Sequence, residues 1–181
     1  MLVIIGPSAC GKTQIVNKLI SDFGYKKLVT YTTRPMRLNE KQGIDYNFIT
    51  EDEFKEKINN QFFIEYVKYN NNYYGTSYSD LSKDKVVIIE AEGLKSYLEK
   101  ARDQIIVIFI RCSKPIRRIR MIERLDSEEN IQKRLNSDDI VFNENVQALA
   151  DYVIDSSNSN VYDCAKLVDS LYKKSVNSDA N

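Results

Sequence analysis

One eight-residue segment, Gly6 to Thr13, constrains more than any other what this chain can fold into. It reads Gly-Pro-Ser-Ala-Cys-Gly-Lys-Thr and directly follows the apolar run Leu2 to Ile5. A helical pattern from Gln14 to Phe23 comes next and ends at Gly24. In such a loop the glycines let backbone N–H groups converge on phosphate oxygens at a helix start. The lysine reaches the outer phosphates and the hydroxyl ligates Mg²⁺. The segment therefore predicts a strand, a phosphate loop and a helix that bind Mg-ATP.

The remaining pattern indicates an α/β fold. Continuous apolar runs of the kind found in buried parallel strands occur at Val86–Ile89, Ile105–Ile110 and Tyr152–Ile154. Helical patterns lie between and after these runs, at Leu94–Ala101, Lys114–Glu123, about 128–149 and Val161–Tyr172. Strands that alternate with helices predict a P-loop NTPase core, a parallel sheet flanked by helices with its ligands at the carboxyl ends of the strands.

Between Val29 and Asp80 the composition and the pattern of the sequence change, which predicts an inserted lobe. This stretch is rich in tyrosine, and its clearest helix start is a capping box in which Thr50 precedes Glu53 by three residues. We therefore assign residues 1–29 and 81–174 to the core and residues 30–80 to the lobe. The small polar residues 175–181 are expected to form a frayed tail.

Composition narrows the class of protein. The 181 residues include 26 basic and 26 acidic side chains, a balance that gives no general attraction for a polyanion or an anionic membrane surface. No apolar run approaches the roughly 20 residues of a membrane span, and a cytoplasmic location is predicted. The three cysteines lack the spacing of a disulfide framework or a zinc site. With no histidine in the chain, histidine-based acid–base or metal catalysis is excluded.

Motifs in the predicted lobe are similar to those of the guanylate kinase family. They are Tyr31-Thr32-Thr33-Arg34-Pro35-Met36-Arg37, Gly43-Ile44-Asp45-Tyr46-Asn47-Phe48, Phe63-Ile64-Glu65-Tyr66 and Asn72-Tyr73-Tyr74-Gly75-Thr76. With the phosphate loop before them and Ile131–Leu135 after them, the resemblance covers roughly Leu2 to Tyr172. It implies a nucleoside monophosphate kinase with a short helical lid at about 120–134. Such an enzyme transfers the γ-phosphoryl group of Mg-ATP to GMP or dGMP.

The resemblance also implies roles for individual residues. ATP is bound by Gly6, Pro7, Ser8, Ala9, Cys10, Gly11, Lys12, Thr13 and Arg120, and Mg²⁺ is held through Thr13 and Glu90. The GMP phosphate is bound by Arg34, Arg37, Tyr46 and Tyr74, and the guanine base by Thr30, Glu65, Thr76 and Glu92. Lys12, Arg34, Arg124 and Arg134 are the implied catalytic residues, which neutralise charge on the transferring group. Taken singly, Glu65 also fits a surface charge, and the tyrosines fit strand packing.

Several positions depart from the family pattern. Glu90-Ala91-Glu92-Gly93 stands where two aspartates and a Gln-Gly pair are usual, so the roles of Glu90 and Glu92 are the least secure. Cys10 is unusual in the loop, and its position beside Lys12 favours a reactive thiolate, although an inert buried thiol fits nearly as well. Taken alone, the arginines between Arg117 and Arg124 fit a solvated helix face, with a small nucleic-acid-binding patch as the weaker alternative.

Three alternatives to a GMP kinase stay open. One is a non-catalytic scaffold module of the same fold, but such modules typically lose the loop lysine and lid arginines that this chain keeps. Another is a kinase for a different phosphorylated acceptor, such as a ribose bisphosphate, although Glu65, Tyr74 and Thr76 argue against it. The third is a preference for dGMP. The sequence does not separate a monomer from a homodimer.

Overall fold

The computed structural model describes residues 1–69 and 71–178 and divides the chain into two compact units. The first unit comprises Met1–Lys26, Lys83–Ala91 and Ile105–Asn181, and the second comprises Lys27–Ser82 and Glu92–Gln104. The second unit thus includes a segment after residue 81 that the sequence-based division places in the core.

A five-stranded sheet forms the centre of the first unit. Its strands are β1 (Leu2–Ile5), β2 (Lys26–Lys27), β7 (Lys85–Ile88), β8 (Ile106–Arg111) and β9 (Tyr152–Asp155), in the order β2-β7-β1-β8-β9. β1 pairs in parallel with both β7 and β8, and β8 pairs in parallel with β9. All four residues of β1 are fully buried, because both faces of the central strand are covered. The predicted α/β fold with a parallel sheet is confirmed.

The helices of the first unit follow the predicted positions with two differences. They are α1 (Lys12–Phe23), α4 (Lys114–Glu123), α5 (Glu128–Val141), α6 (Glu144–Gln147) and α7 (Val161–Ser178). The single helix expected over 128–149 is broken, because the Asn143 side chain accepts hydrogen bonds from the N–H groups of Asn145 and Val146 and starts a new helix. The last helix extends through Ser178 instead of fraying from Ser175. Residues 179–181 of the predicted tail lie outside the described residues.

The second unit is a small four-stranded sheet with two helices. Its strands are β3 (Tyr31–Thr32), β4 (Asn47–Phe48), β5 (Phe63–Tyr69) and β6 (Asn72–Ser77), in the order β4-β3-β6-β5, and its helices are α2 (Glu51–Asn59) and α3 (Ala91–Ala101). The capping box predicted at Thr50 and Glu53 begins α2. Phe54 of that helix stacks on Phe63 with ring centroids 4.3 Å apart and anchors the helix to the sheet.

Among the described residues, no helix is both long and apolar enough to cross a membrane.

Candidate active site

The phosphate loop follows the carboxyl end of β1, and its backbone takes conformations that most residues avoid. Gly6 has φ +145° and Gly11 has φ +91°. A Cβ atom on Gly6 would lie 2.2 Å from the carbonyl oxygen of Ile110 on β8, so only glycine fits there. Ala9 has φ 60°, in the left-handed region that costs a residue with a Cβ atom about 1–2 kcal/mol. Neighbouring contacts must therefore hold this loop in shape.

Lys12, the first residue of α1, has its ammonium group bound to the loop itself. Its Nζ donates to the carbonyl oxygens of Gly6 and Pro7, the latter at 2.8 Å. The charge that the sequence assigns to the outer phosphates is therefore already located at the loop. The next residue, Thr13, has an exposed side chain at the start of the same helix.

Cys10 does not have the surroundings of a reactive thiol. It is fully buried, and burial raises the pKa of Cys10 more than the nearby Lys12 lowers it. Its Sγ lies 3.9 Å from Lys12 Nζ. These surroundings argue against the predicted reactive thiolate, because loss of hydration outweighs attraction to the lysine. They favour the alternative of a buried, inert thiol.

Beside the loop lies a cavity of about 390 Å³ within the first unit. Arg120 of α4 forms part of its wall and connects several elements: Nη1 donates to the Ala9 carbonyl oxygen at 3.3 Å, and Nη2 donates to the Ser156 carbonyl oxygen at 2.8 Å. The lining residues are Cys10, Gly11, Gln14, Ile15, Arg120, Glu123, Arg124, Ser156, Ser159, Asn160, Val161 and Cys164. Arg120, predicted to bind ATP, and Arg124, predicted to be catalytic, thus border one cavity next to the phosphate loop.

The other arginines of this region differ in burial. Arg124 is exposed, and the exposed Arg134 of α5 forms an ion pair with Asp126 at 3.3 Å. Arg117 is only 4% exposed, so it does not belong to a solvated helix face. Its guanidinium group is paired with Asp138 at 2.7 Å, which is why a charge is tolerated inside the unit.

The residues predicted to hold Mg²⁺ are a hydroxyl and a carboxylate that follow neighbouring strands. Thr13 comes after β1 and the loop, and Glu90 comes two residues after β7, the parallel neighbour of β1. Both side chains are exposed, and oxygen ligands of this kind suit Mg²⁺ when water and phosphate oxygens complete the shell. Among the described residues there is no cluster of three or more metal-ligating His, Cys, Asp or Glu side chains. The donor set fits a Mg²⁺ ion delivered with nucleotide.

In the second unit, three of the four predicted phosphate-binding residues lie together. The Arg34 guanidinium carbon is 5.5 Å from the centre of the Tyr46 ring, and the Tyr46 and Tyr74 ring centroids are 6.1 Å apart. Arg34 Nη2 donates to Glu40 Oε1 at 2.6 Å, and the other Glu40 oxygen accepts from the backbone N–H of Arg37 at 2.8 Å. These two bonds hold the pKa of Glu40 below its ordinary value. The Arg37 side chain itself is exposed.

Glu65 and Thr76 face each other across the antiparallel β5–β6 pair. The Thr76 hydroxyl donates to Glu65 Oε1 at 3.0 Å. Burial raises the pKa of Glu65, while the Thr76 hydrogen bond and the Lys100 charge act in the opposite direction. A partly buried carboxylate with one oxygen already bonded offers its remaining lone pairs to a ligand with hydrogen-bond donors. No described contact links this pair to Thr30 or to the exposed Glu92.

Sequence reasoning missed Glu40, Asp138 and Tyr97. Tyr97 of α3 is fully buried, and burial raises its pKa. An interaction with Thr76 lowers this pKa, and the nearby charge on Glu65 raises it further. Glu40 carried a weak signal, since it lies three residues after Arg37. No sequence pattern indicated the role of Asp138, because its partner Arg117 lies 21 residues away on another helix.

Comparison with known proteins agrees with this geometry. Residues 1–174 match the family model described as guanylate kinase. Two curated guanylate kinases from Legionella pneumophila strains Paris and Lens are each 35% identical over 138 residues, or 72% of this chain. The matched part spans 66% of their own length, just under two thirds. A guanylate kinase from Sulfurimonas denitrificans is 32% identical over 176 residues, covering 92% of this chain and 83% of the relative.

Solved structures with a similar fold include another guanylate kinase. The crystal structure of a guanylate kinase from Anaplasma phagocytophilum is 25% identical with a TM-score of 0.65, and the match covers 97% of this chain and 85% of that one. A shikimate kinase from Acinetobacter baumannii, 13% identical with a TM-score of 0.55, covers 96% of this chain and 93% of its own and shares the fold alone. Because the family model matches nearly the whole chain and the phosphate loop lies where that fold places it, this protein belongs to the guanylate kinase family.

Proposed function

We propose that this chain transfers the γ-phosphoryl group of ATP to GMP or dGMP, giving ADP and the nucleoside diphosphate. Family membership and the phosphate loop support the donor. The observation that carries the acceptor is the Glu65–Thr76 pair at 3.0 Å in the second unit. Guanine presents two donors, N1–H and the N2 amino group, on one edge, and a carboxylate offers only acceptors. Adenine presents an acceptor at N1 and would oppose Glu65.

The proposed chemistry asks the protein for alignment and charge neutralisation. In phosphoryl transfer the negative charge is spread over the equatorial oxygens, and positioning provides most of the rate. Lys12 at the loop and the arginines Arg120, Arg124 and Arg134 would neutralise the triphosphate and the transferring group. The acceptor phosphate is already an anionic nucleophile at neutral pH. No general base is required, which agrees with a chain that has no histidine.

Thr13 and Glu90 are the residues proposed to hold Mg²⁺, directly or through water. When bound, the ion neutralises phosphate oxygens and orients the triphosphate. On the acceptor side, Arg34, Arg37, Tyr46 and Tyr74 would bind the monophosphate. An arginine fork and phenolic donors suit a dianion. The catalytic role of Arg34 is then to hold the attacking oxygen in line with the donor.

A coupled assay with a panel of acceptors tests this proposal. ATP and Mg²⁺ are supplied with GMP, dGMP, AMP, CMP, UMP or ribose 1,5-bisphosphate, and ADP release is followed. We expect turnover with GMP and dGMP and a kcat/KM for AMP lower by about 10³–10⁴, the discrimination available to a site built on buried hydrogen bonds. Preference for the ribose bisphosphate would replace the proposal. The absence of turnover with every acceptor would support a non-catalytic module.

A cytoplasmic location, a monomeric or homodimeric state and the absence of nucleic-acid or membrane partners stay predictions of the sequence. Gel filtration coupled to light scattering measures the oligomeric state directly.

A further inference from the structure

A buried ion pair that the family resemblance does not assign lies next to the phosphate loop. Arg117 of α4 is 4% exposed and Asp138 of α5 is 8% exposed, and Arg117 Nη2 lies 2.7 Å from Asp138 Oδ2. A neighbouring pair on the same two helices, Arg118 and Glu128, is far more accessible, with side chains 41% and 65% exposed. Because buried charges lose hydration, a pair inside a protein needs further hydrogen bonds to be tolerated.

One further bond goes to Asp139 of α5, whose Oδ1 accepts from Arg117 Nη1 at 3.5 Å, and the others go to one residue of the phosphate loop, Ser8. Its backbone N–H donates to Asp138 Oδ2 at 2.9 Å, and its hydroxyl donates to Asp138 Oδ1 at 3.3 Å. Its carbonyl oxygen accepts from Arg117 Nε at 3.1 Å. The ion pair therefore holds the N–H, the hydroxyl and the carbonyl group of Ser8.

Ala9, the residue after Ser8, has a strained backbone conformation that these contacts stabilise. Ala9 has φ 60°, a left-handed conformation that is unfavourable for a residue with a Cβ atom. A strained residue persists only where its surroundings fix it. Arg120 binds the Ala9 carbonyl oxygen at 3.3 Å on one side, and the Ser8 contacts fix the other. Released from these contacts, the peptides on either side of Ala9 would turn, and the N–H groups from Cys10 onward would lose their common direction.

Arg117 also neutralises the negative charge of Asp138 beside the phosphate loop. A carboxylate bonded to the loop N–H of Ser8 would repel an arriving triphosphate, since both are anions. The guanidinium group of Arg117, 2.7 Å from Asp138, neutralises that carboxylate while leaving its lone pairs for Ser8. The pair thus supplies acceptors to the loop without leaving a net negative charge beside it.

We propose that Arg117 and Asp138 are positioning residues for ATP binding: together they hold Ser8 and keep the phosphate loop in its binding conformation. The proposal rests on ATP being the phosphoryl donor, as proposed above. It assigns no contact between either residue and the substrate. It predicts that losing the pair weakens triphosphate binding and leaves GMP binding unchanged, because the GMP-site residues lie on other elements.

The experiment measures the affinity of Mg-AMPPNP and, separately, of GMP by calorimetry. The variants are Arg117→Met, Asp138→Asn and the double variant Arg117→Met/Asp138→Leu, with Arg118→Met as the matched control on the same helix. We expect the Kd for Mg-AMPPNP to rise about tenfold or more in all three, since each loses hydrogen bonds to a charged group. The Kd for GMP should stay within about twofold, and Arg118→Met should match the wild type.

The double variant keeps the proposal testable if the single variants fold poorly. Replacing both charges by apolar side chains is often neutral for stability, whereas leaving one charge unpaired is not. A double variant that is as stable as the wild type and still binds Mg-AMPPNP weakly supports positioning. The same variant with wild-type affinity would overturn it, because the pair would then act on stability alone.

A second arm tests the link to Ala9. Glycine adopts the left-handed conformation freely, so adding Ala9→Gly to Asp138→Asn should recover part of the lost Mg-AMPPNP affinity. No recovery would refute the role of the strained residue. A wild-type protein that binds Mg-AMPPNP yet does not phosphorylate GMP would refute the proposed function and leave this inference standing.

Discussion

Replacing Glu65 by glutamine should lower the preference for GMP over AMP and raise the stability of the folded protein at pH 7. Oε1 of Glu65 already accepts the Thr76 hydroxyl at 3.0 Å, which leaves the second oxygen for the guanine edge. Glutamine has the same shape, but its one oxygen would keep Thr76 and its amide group would face N1–H and the N2 amino group. Donors would then oppose donors at the base-reading position.

The size of the effect follows from the two guanine donors that lose their acceptor. Each unsatisfied donor costs about 1.5–2 kcal/mol in a buried site, within the range for lost hydrogen bonds. Two such losses amount to about 3–4 kcal/mol, or a fall of about 10²–10³ in kcat/KM for GMP. AMP should gain, because an amide can donate to adenine N1. The GMP/AMP ratio therefore narrows by more than the GMP loss alone.

Stability should change in the opposite direction. Burial raises the pKa of Glu65 above its unfolded value, so the folded state binds this proton more tightly than the unfolded state does. The contribution of Glu65 to stability is then fully present below its ordinary pKa and is lost as pH rises through the raised value. At pH 7 the wild type has a partly buried charge that the variant lacks. Glu65→Gln should melt higher at pH 7, and the difference should shrink in acid.

The assay pairs initial-rate kinetics for GMP and AMP with thermal melts at neutral and acid pH. Glu56→Gln, an exposed change of the same charge on α2, is the matched control and should alter neither readout. If Glu65→Gln leaves the GMP/AMP ratio of kcat/KM unchanged, Glu65 does not read the base. The proposed acceptor would then be wrong as well.

Three further predictions concern the phosphate loop and the pH response. Lys12→Ala should lower kcat by about 10²–10³ with native circular dichroism, because it removes one preorganised charge, and near-wild-type turnover would refute that role. Gly6→Ala should both destabilise the fold and abolish Mg-AMPPNP binding, since its Cβ would sit 2.2 Å from the Ile110 oxygen; a variant with the wild-type melting temperature would contradict this contact. The KM for GMP should rise as pH falls through the raised pKa of Glu65. The rise should be steeper than in Glu65→Gln, in which only the GMP phosphate titrates. Equal pH dependence of KM in the two proteins would argue against an ionised Glu65.

Local signals made much of the first unit predictable. The phosphate loop, the helix ending at Gly24 and the strand runs each depend on neighbours in sequence, and the structure has them where they were expected. The break at Asn143 was missed because the apolar spacing continues past it, while a single side chain starts a new helix. Element bounds are set by such individual hydrogen bonds, which periodicity does not report.

Burial of charge was the less predictable part. Arg117 and Arg118 are adjacent and identical in type, yet the side chain of one is 5% exposed and that of the other 41%. Both arginines pair with a carboxylate of α5, so the difference in exposure depends on which face of α4 each residue occupies, and this is decided by helix packing. The prediction of a reactive thiolate at Cys10 also missed the effect of burial. The reactivity of a thiol depends on its hydration as well as on a nearby cation.

The Arg34–Glu40 pair has a consequence for how the acceptor is admitted. In the free protein the arginine proposed to bind the acceptor phosphate already holds a carboxylate at 2.6 Å, and both side chains are largely shielded from water at 15% and 17% exposure. A phosphate monoester, with about 1.5–2 negative charges at neutral pH, competes well with one carboxylate for that guanidinium group. Guanosine has no such charge and would leave the pair intact. On the proposed function, entry of the acceptor would then be an anion exchange at Arg34, and an uncharged nucleoside would lack the phosphate that displaces Glu40.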